Sequence, residues 1–268
     1  MTDATGNARE WNATDYHRLA NPHVTWGRKV LVRLPLRGNE TVLDAGCGTG
    51  RLTAELLEAL PNGKVIAVDL SANMLAEARR HLEPLARGRV YYLQADLQTL
   101  TLAEPVDAIY STAALHWVRD HELLFRHLFA CLKPGGWLVA QCGGGANIAN
   151  VLARAAELMA SDDYRPYFEG WPGPWEFADD RTTAERLVAA GFVDVETGLE
   201  ETPVVLGDYD EYRDYLETVV FGSHLSRIPD ATLRRGFVEK LAEQAARDDP
   251  PFQLDYWRLN LQARRPEV

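Results

Sequence analysis

Along the first half of the chain, short apolar runs alternate with stretches in which apolar residues recur at helical spacing. The runs at 41–45, 65–69, 90–94, 108–111 and 137–141 predict buried strands. The stretches at 14–34, 52–60, 72–81 and 121–132 predict helices. Pro35, Pro61-Asn62-Gly63 and Pro134-Gly135-Gly136 supply stops, and Ser71 stands where an N-cap belongs. Strand–helix alternation of this kind predicts an α/β fold, a doubly wound parallel sheet covered on both faces.

Beyond Gly143-Gly144-Gly145 the rhythm changes. Residues 150–160 and 183–190 have helical patterns, and 192–196 and 256–264 read as strands. Residues 208–247 are mostly helical, with a break near Gly222 and Pro229. Between them lies YRPYFEGWPGPWEFADD, dense in aromatics, Pro and Gly. The pattern divides the chain into a core (1–145, 181–206 and 251–268) and a helical lid (146–180 and 207–250). The lid segments are too short and too aromatic to be expected to hold cores of their own. The three glycines serve as a hinge into the lid or as a plain connection.

Composition narrows the class. A chain of 268 residues with 46% hydrophobic and 25% charged residues is an ordinary globular protein. Its net charge of -11 disfavours a nucleic-acid partner, whose phosphates call for clustered Lys and Arg. A small anionic partner stays open, because one pocket can differ from the whole surface. No apolar run reaches the length of a membrane span and no signal core opens the chain, so the expectation is a cytoplasmic protein with no membrane partner. Cys47, Cys131 and Cys142 form neither a disulfide framework nor a zinc pattern, and no metal is expected. Nothing in the sequence speaks to oligomeric state.

The first strand empties into a glycine loop, VLDAGCGTG at 42–50. A dinucleotide fingerprint needs G-x-G-x-x-G, and Arg51 occupies the place of the third glycine. A P-loop needs Lys and Ser or Thr after its last glycine, and here Arg51-Leu52 follow. Three acids then come at successive strand exits: Asp44, Asp69 and Asp96. Parallel strands share their carboxyl ends, so all three face the ligand-binding edge of the sheet. Asp69 can accept both hydroxyls of a ribose, and Asp96 can meet an adenine amino group. That edge suits a cofactor with ribose, adenine and a positive centre better than a pyrophosphate.

With VIAVDLSANML at 65–75, QADL at 94–97, DAIYSTAALHWV at 107–118 and LKPGGWLVAQ at 132–141, the chain resembles the class I S-adenosylmethionine-dependent methyltransferases. Within that class it is most similar to the trans-aconitate, malonyl-carrier-protein and juvenile-hormone-acid methyltransferase group. The resemblance implies a Rossmann-like seven-stranded sheet with an antiparallel last strand and a helical lid. It implies that the loop from Asp44 through Gly46, Cys47 and Gly48 lies along the methionine part of S-adenosylmethionine. Asp69 would hold the ribose, Leu70 and Met74 would line the adenine, and Asp96 and Leu97 would meet its edge. Ser111 would lie on the floor near the methyl donor. The N-terminal segment would fold over the cofactor and bring Tyr16 and His17 near the acceptor.

Methyl transfer from a sulfonium needs alignment and exclusion of water. A carboxylate acceptor is ionised at neutral pH and needs no base, whereas a hydroxyl or amine usually needs one. His116 is the candidate catalytic group, either as a base or as a donor that orients the acceptor. Trp117, Tyr164 and Trp171 are candidate walls of the acceptor site, and Arg28 and Arg165 are candidate partners for an anion. The expected activity is O-methylation of a small-molecule acceptor, most naturally a carboxylate. Methylation of a hydroxyl or amine, an NAD-dependent oxidoreductase and a non-catalytic S-adenosylmethionine-binding protein are the rival readings.

Overall fold

The computed structural model describes Glu10, Trp11, Ala13 and residues 21–268. Its strands are β1 (Thr41–Ala45), β2 (Lys64–Asp69), β3 (Val90–Gln94), β4 (Val106–Thr112), β5 (Leu132–Gly143), β6 (Val193–Glu201), β7 (Val204–Val205), β8 (Gln253–Leu254) and β9 (Trp257–Arg264). Seven of them form one sheet in the order β3–β2–β1–β4–β5–β9–β6, and β7 pairs with β8 in a separate ribbon. The first five run parallel, and β9 runs antiparallel to both β5 and β6. The strand order reverses between β1 and β4, the switch point at which open α/β sheets leave a crevice for a ligand.

Helices cover both faces. On one side lie α1 (Asn21–Leu31), α2 (Arg51–Ala59) and α3 (Ala72–Ala86). They bury Val30, Leu56, Leu57, Ala78 and Leu82 against Val42, Val65, Ala67, Tyr110 and Val139 of the sheet. On the other side, α4 (His121–Cys131) buries Leu124, Phe125 and Leu128 against Leu43, Ala45, Ile109, Leu138 and Ala140. The period of two along a strand makes this division: in β1, positions 42 and 44 face one layer and 43 and 45 the other. Tyr110 fixes α1 on the sheet, its hydroxyl donating to the Gly27 carbonyl at 2.9 Å. Ser71 caps α3 as expected, accepting from the Met74 amide at 3.2 Å.

Several elements, β4 and β6 among them, run longer than the pattern predicts, and two extensions cross a proline. Helix α3 continues through Pro84 to Ala86, because burial of Leu82 and Ala86 in the last turn outweighs the backbone bond that proline removes. Strand β5 begins at Leu132, and a shift in its pairing with β4 absorbs Pro134-Gly135-Gly136.

The late part of the chain adds α5 (Ala149–Ala160), α6 (Arg165–Phe168), α7 (Asp180–Ala189), α8 (Tyr209–Tyr215), α9 (Gly222–Leu225) and α10 (Ala231–Ala245). Helix α7 packs on β6 and β9 as part of the sheet layers. The others interleave. Val151 and Ala155 of α5, Phe168 of α6, Tyr212 and Tyr215 of α8 and Phe237, Val238 and Leu241 of α10 share one buried cluster with Trp26 and Tyr256. Each segment alone is too short for a core, but the two together bury a substantial one.

Candidate active site

Two adjoining cavities open at the carboxyl edge of the sheet. The larger, about 790 Å³ and partly open to solvent, is walled by Gly46, Gly48, Asp69, Leu70, Met74, Asp96, Leu97 and Trp117, among others. The smaller, about 390 Å³, lies between the sheet and the late helical segments. Trp11, Ala113 and Trp117 line both.

The glycine loop forms the floor of the larger cavity. The Gly46 and Cys47 amides both donate to the Val68 carbonyl, at 2.8 and 2.9 Å, which ties the loop to β2. Gly46 has a φ of 85°, and a Cβ there would overlap the Ala114 Cβ, so this position admits only glycine. Asp69 closes the loop. One carboxylate oxygen accepts from the Gly48 amide at 2.9 Å and the other from the Ser71 amide at 2.9 Å. Burial raises the Asp69 carboxyl above the usual carboxylate range, with these amides pulling the other way. Asp96 stands across the cavity and accepts from the Gln98 amide at 2.8 Å. Leu70, Met74, Leu97 and Val118 supply apolar walls between the two acids.

Three residues expected in this cavity sit behind its wall. Asp44 shares the parity of Val42, so its side chain turns toward α2 and accepts the Thr53 hydroxyl at 2.6 Å. Burial pushes its carboxyl up to about 7. Cys47 is buried among the α2–α3 packing, and the same burial raises its thiol well above the ordinary range. Ser111 is fully buried and donates to the Ala45 carbonyl at 2.6 Å, leaving the floor to Thr112, Ala113 and Ala114.

The N-terminal segment contributes a residue that the sequence reading did not single out. Trp11 packs edge-on against Trp117, ring centroids 5.2 Å apart, at the boundary of the two cavities. Glu10 beside it accepts from the Ser71 hydroxyl at 2.7 Å and from the amides of Ala72 and Asn73, anchoring this end of the segment on the start of α3. Tyr16 and His17 lie outside the described residues.

Nine further residues complete the smaller cavity: His116, Asn147, Ile148, Trp175, Phe177, Val219, Val220, Tyr256 and Arg258. The Gly143 amide donates to His116 Nδ1 at 3.2 Å, so a neutral imidazole carries its proton on Nε2. A Cβ at Gly143 would press on the Asn147 and Phe177 side chains, so a larger residue there would displace two walls of the cavity. The neighbouring amides are committed as well, Gly144 to the Trp257 carbonyl and Gly145 to that of Ala178, so the triple glycine is a closed turn. The aromatic loop is bolted to the His116 turn. The Glu176 amide donates to the His116 carbonyl at 2.9 Å, and Arg119 donates to the Gly173 carbonyl at 2.6 Å. Arg258 is 2% exposed, with its guanidinium 4.6 Å from the centre of the Trp26 ring and 6.0 Å from that of Tyr256. Ala113 and Ile148, both on this wall, hold left-handed backbone with φ of 53° and 52°, strain of the kind that gathers at binding sites.

The other expected wall residues are elsewhere. Tyr164 is buried in the cluster formed by the late helical segments, its hydroxyl donating to the Leu233 carbonyl at 3.0 Å and its ring edge-on to Phe237. Trp171 meets His224 edge to face and lies against the Arg227 guanidinium. Trp175 and Phe177, from the same aromatic stretch, face the cavity instead. Arg28 pairs with Glu55 and Arg165 with Asp162, both at the surface.

This cavity pair has the chemistry of a methyl-donor site. Acids placed to accept hydroxyl and amino donors flank an apolar slot, and among the described residues no Lys or Arg lines the larger cavity to hold a pyrophosphate. Residues 42–136 match the methyltransferase domain family. A trans-aconitate 2-methyltransferase of Azoarcus sp. (strain BH72) is 40% identical over 187 residues, 69% of this chain and 66% of that protein. One from Deinococcus radiodurans is 30% identical over 263 residues, 96% of this chain and 99% of that protein. The chain belongs to the S-adenosylmethionine-dependent methyltransferases.

The fold of this methyltransferase is also found in a Haemonchus contortus phosphoethanolamine N-methyltransferase 2, solved with phosphomonomethylethanolamine and S-adenosylhomocysteine. The two agree with a TM-score of 0.61 at 18% identity, over 95% of this chain and 57% of that one. Among the described residues, no helix of the methyltransferase is long and apolar enough to cross a membrane, and no cluster of ligands for a metal occurs.

Proposed function

We propose that the methyltransferase transfers its methyl group to a carboxylate oxygen of a small acid held in the smaller cavity. The observation that carries this reading is the hydrogen bond that the Gly143 amide donates to His116 Nδ1, which places the proton of a neutral imidazole on Nε2. A donor suits an acceptor that is already an anion and serves poorly as a base for a hydroxyl or an amine. Arg258, buried in the same wall, supplies a positive charge for that anion. The names of the relatives point the same way.

In this reading the glycine loop, Asp69 and Asp96 hold S-adenosylmethionine, with Leu70, Met74 and Leu97 against its adenine. Bound there, the cofactor supplies a methyl group on a positively charged sulfur. The chain does the rest by position. His116 and Arg258 orient the carboxylate, and Trp11 and Trp117, on the boundary, set its angle of approach to the donor cavity. Segments 146–180 and 207–250 act as the cover, through Ile148, Trp175, Phe177, Val219 and Val220, and keep water out. No group has to accept a proton. The test is release of S-adenosylhomocysteine across a panel of acids, alcohols and amines. Turnover with acids is expected, and turnover confined to alcohols or amines refutes the proposal.

A further inference from the structure

We infer that Arg186 is a positioning residue for methyl transfer, holding the aromatic wall of the smaller cavity and the His116 turn together as one unit from behind. The inference rests on the smaller cavity taking the acceptor, whatever the acceptor's class. Arg186 stands on α7 and lines neither cavity.

The stretch Trp175-Glu176-Phe177 divides its work between alternate residues. Trp175 and Phe177 face the cavity, their rings stacked with centroids 5.5 Å apart and planes 13° from parallel. The Glu176 carboxylate accepts from Arg186 Nη1 at 3.0 Å, and the Glu176 amide donates to the His116 carbonyl at 2.9 Å. The carbonyl before that one, of Leu115, accepts from His121 Nε2 at 3.1 Å, which leaves His121 Nδ1 as an acceptor. Arg186 Nη1 approaches that Nδ1 at 3.5 Å. One guanidinium nitrogen with two hydrogens thereby serves both groups that hold the turn. Burial lowers the His121 imidazole below its ordinary range, which favours the neutral ring that this arrangement needs. The contacts close a ring through α4, α7, the aromatic stretch and the turn that carries His116 and Trp117.

The side chains of Arg186 and Glu176 are 25% and 31% exposed, so the pair adds little to global stability. Its effect is local. Without it, Trp175, Phe177 and His116 lose their fixed relation to the donor cavity. Methyl transfer is sensitive to that relation, since a misplacement of about 1 Å can cost roughly 100-fold in rate. Asp69 and Asp96 make their hydrogen bonds elsewhere, so donor binding is left as it is.

The experiment uses the full chain with S-adenosylmethionine and whichever acid, alcohol or amine the parent turns over best. Arg186→Met keeps the length of the side chain and removes the guanidinium. Its kcat/KM is expected to fall about tenfold, with the dissociation constant for S-adenosylhomocysteine within twofold of the parent. Glu176→Ala is expected to fall as well, and the double variant no further than Arg186→Met alone. Arg186→Lys, which keeps the charge but reaches one partner, is expected to fall between Arg186→Met and the parent. By hydrogen–deuterium exchange, peptides spanning 113–119 and 172–179 should speed up together in Arg186→Met and Glu176→Ala, with 42–50 unchanged. Losses that multiply in the double variant, or an equal weakening of S-adenosylhomocysteine binding, overturn the inference. So does unchanged exchange at both peptides, with or without a known acceptor. If Arg186→Met does not fold, parental kcat/KM and exchange in Glu176→Ala overturn it. An alcohol or amine as best acceptor refutes carboxylate methylation and leaves these measurements to decide the role of Arg186.

Discussion

Replacing Asp69 with asparagine probes the donor site at its most connected residue. The native carboxylate accepts two amides, those of Gly48 and Ser71, each at 2.9 Å, and still presents lone pairs to the cavity. Asparagine has the same shape but turns one of the two acceptors into a donor. A hydrogen bond to a charged group contributes about 1.5–3 kcal/mol. Either the Gly48–Ser71 closure loses one such bond, or the ribose of the donor meets an amide where it needs a carboxylate. Affinity for S-adenosylhomocysteine then falls roughly 10- to 100-fold, equivalent to about 1.4–2.7 kcal/mol. Asp69→Ala frees both amides and costs more in both affinity and fold stability. Isothermal titration gives the affinity, and thermal melts on the same samples separate a weakened site from a loosened fold. A variant that melts like the parent and binds within threefold of it would refute the assignment of Asp69.

His116→Gln retains a side-chain donor and is expected to keep within about tenfold of parental kcat/KM, while His116→Ala loses roughly 10- to 100-fold, about what one hydrogen bond to a charged group contributes. Loss of an ionisation from the pH–rate profile in the glutamine variant would instead mark His116 as a base. Gly46→Ala drives a methyl into Ala114 from a left-handed backbone, and should abolish donor binding in titration while β1 and β2 still fold. Asp44 gives a pH prediction whose sign follows from its burial. Its carboxyl is pushed up to about 7 in the fold, against about 3.9 in an unfolded chain. Between those values the folded protein holds a proton that the unfolded chain has lost, so this group's contribution to stability declines as pH rises from about 4 to 7. Melting temperatures of Asp44→Asn across that window should decline less steeply than those of the parent; parallel curves would contradict the linkage.

Much of the lining of the larger cavity was legible in the sequence because it is local. A φ of 85° against the Ala114 side chain demands glycine at 46, and parallel strands must bring the acids that follow them to one edge. What local pattern missed was direction. Asp44 lies one residue from the end of β1, and parity turns it to Thr53 instead of the cleft. The smaller cavity was mostly illegible because it is assembled from distant segments. Tyr164 and Trp175 belong to one aromatic stretch, yet α10 draws the first into the late helical cluster while the Glu176–His116 backbone bond holds the second at the cavity. Arg258 carried no local signal, because it falls on the polar parity of the alternating last strand with Asn260 and Gln262, and pairs with Gly143, beside His116, only in the folded sheet.

The central claim is that the methyl group goes to a carboxylate oxygen without help from a base. The most direct measurement is the fate of the methylated product in mild alkali, followed by mass spectrometry. A methyl ester hydrolyses to the parent acid and releases methanol, which is the result predicted here. A product that keeps its methyl group under the same conditions is an ether, an amine or a carbon-methylated acid, and would contradict the account.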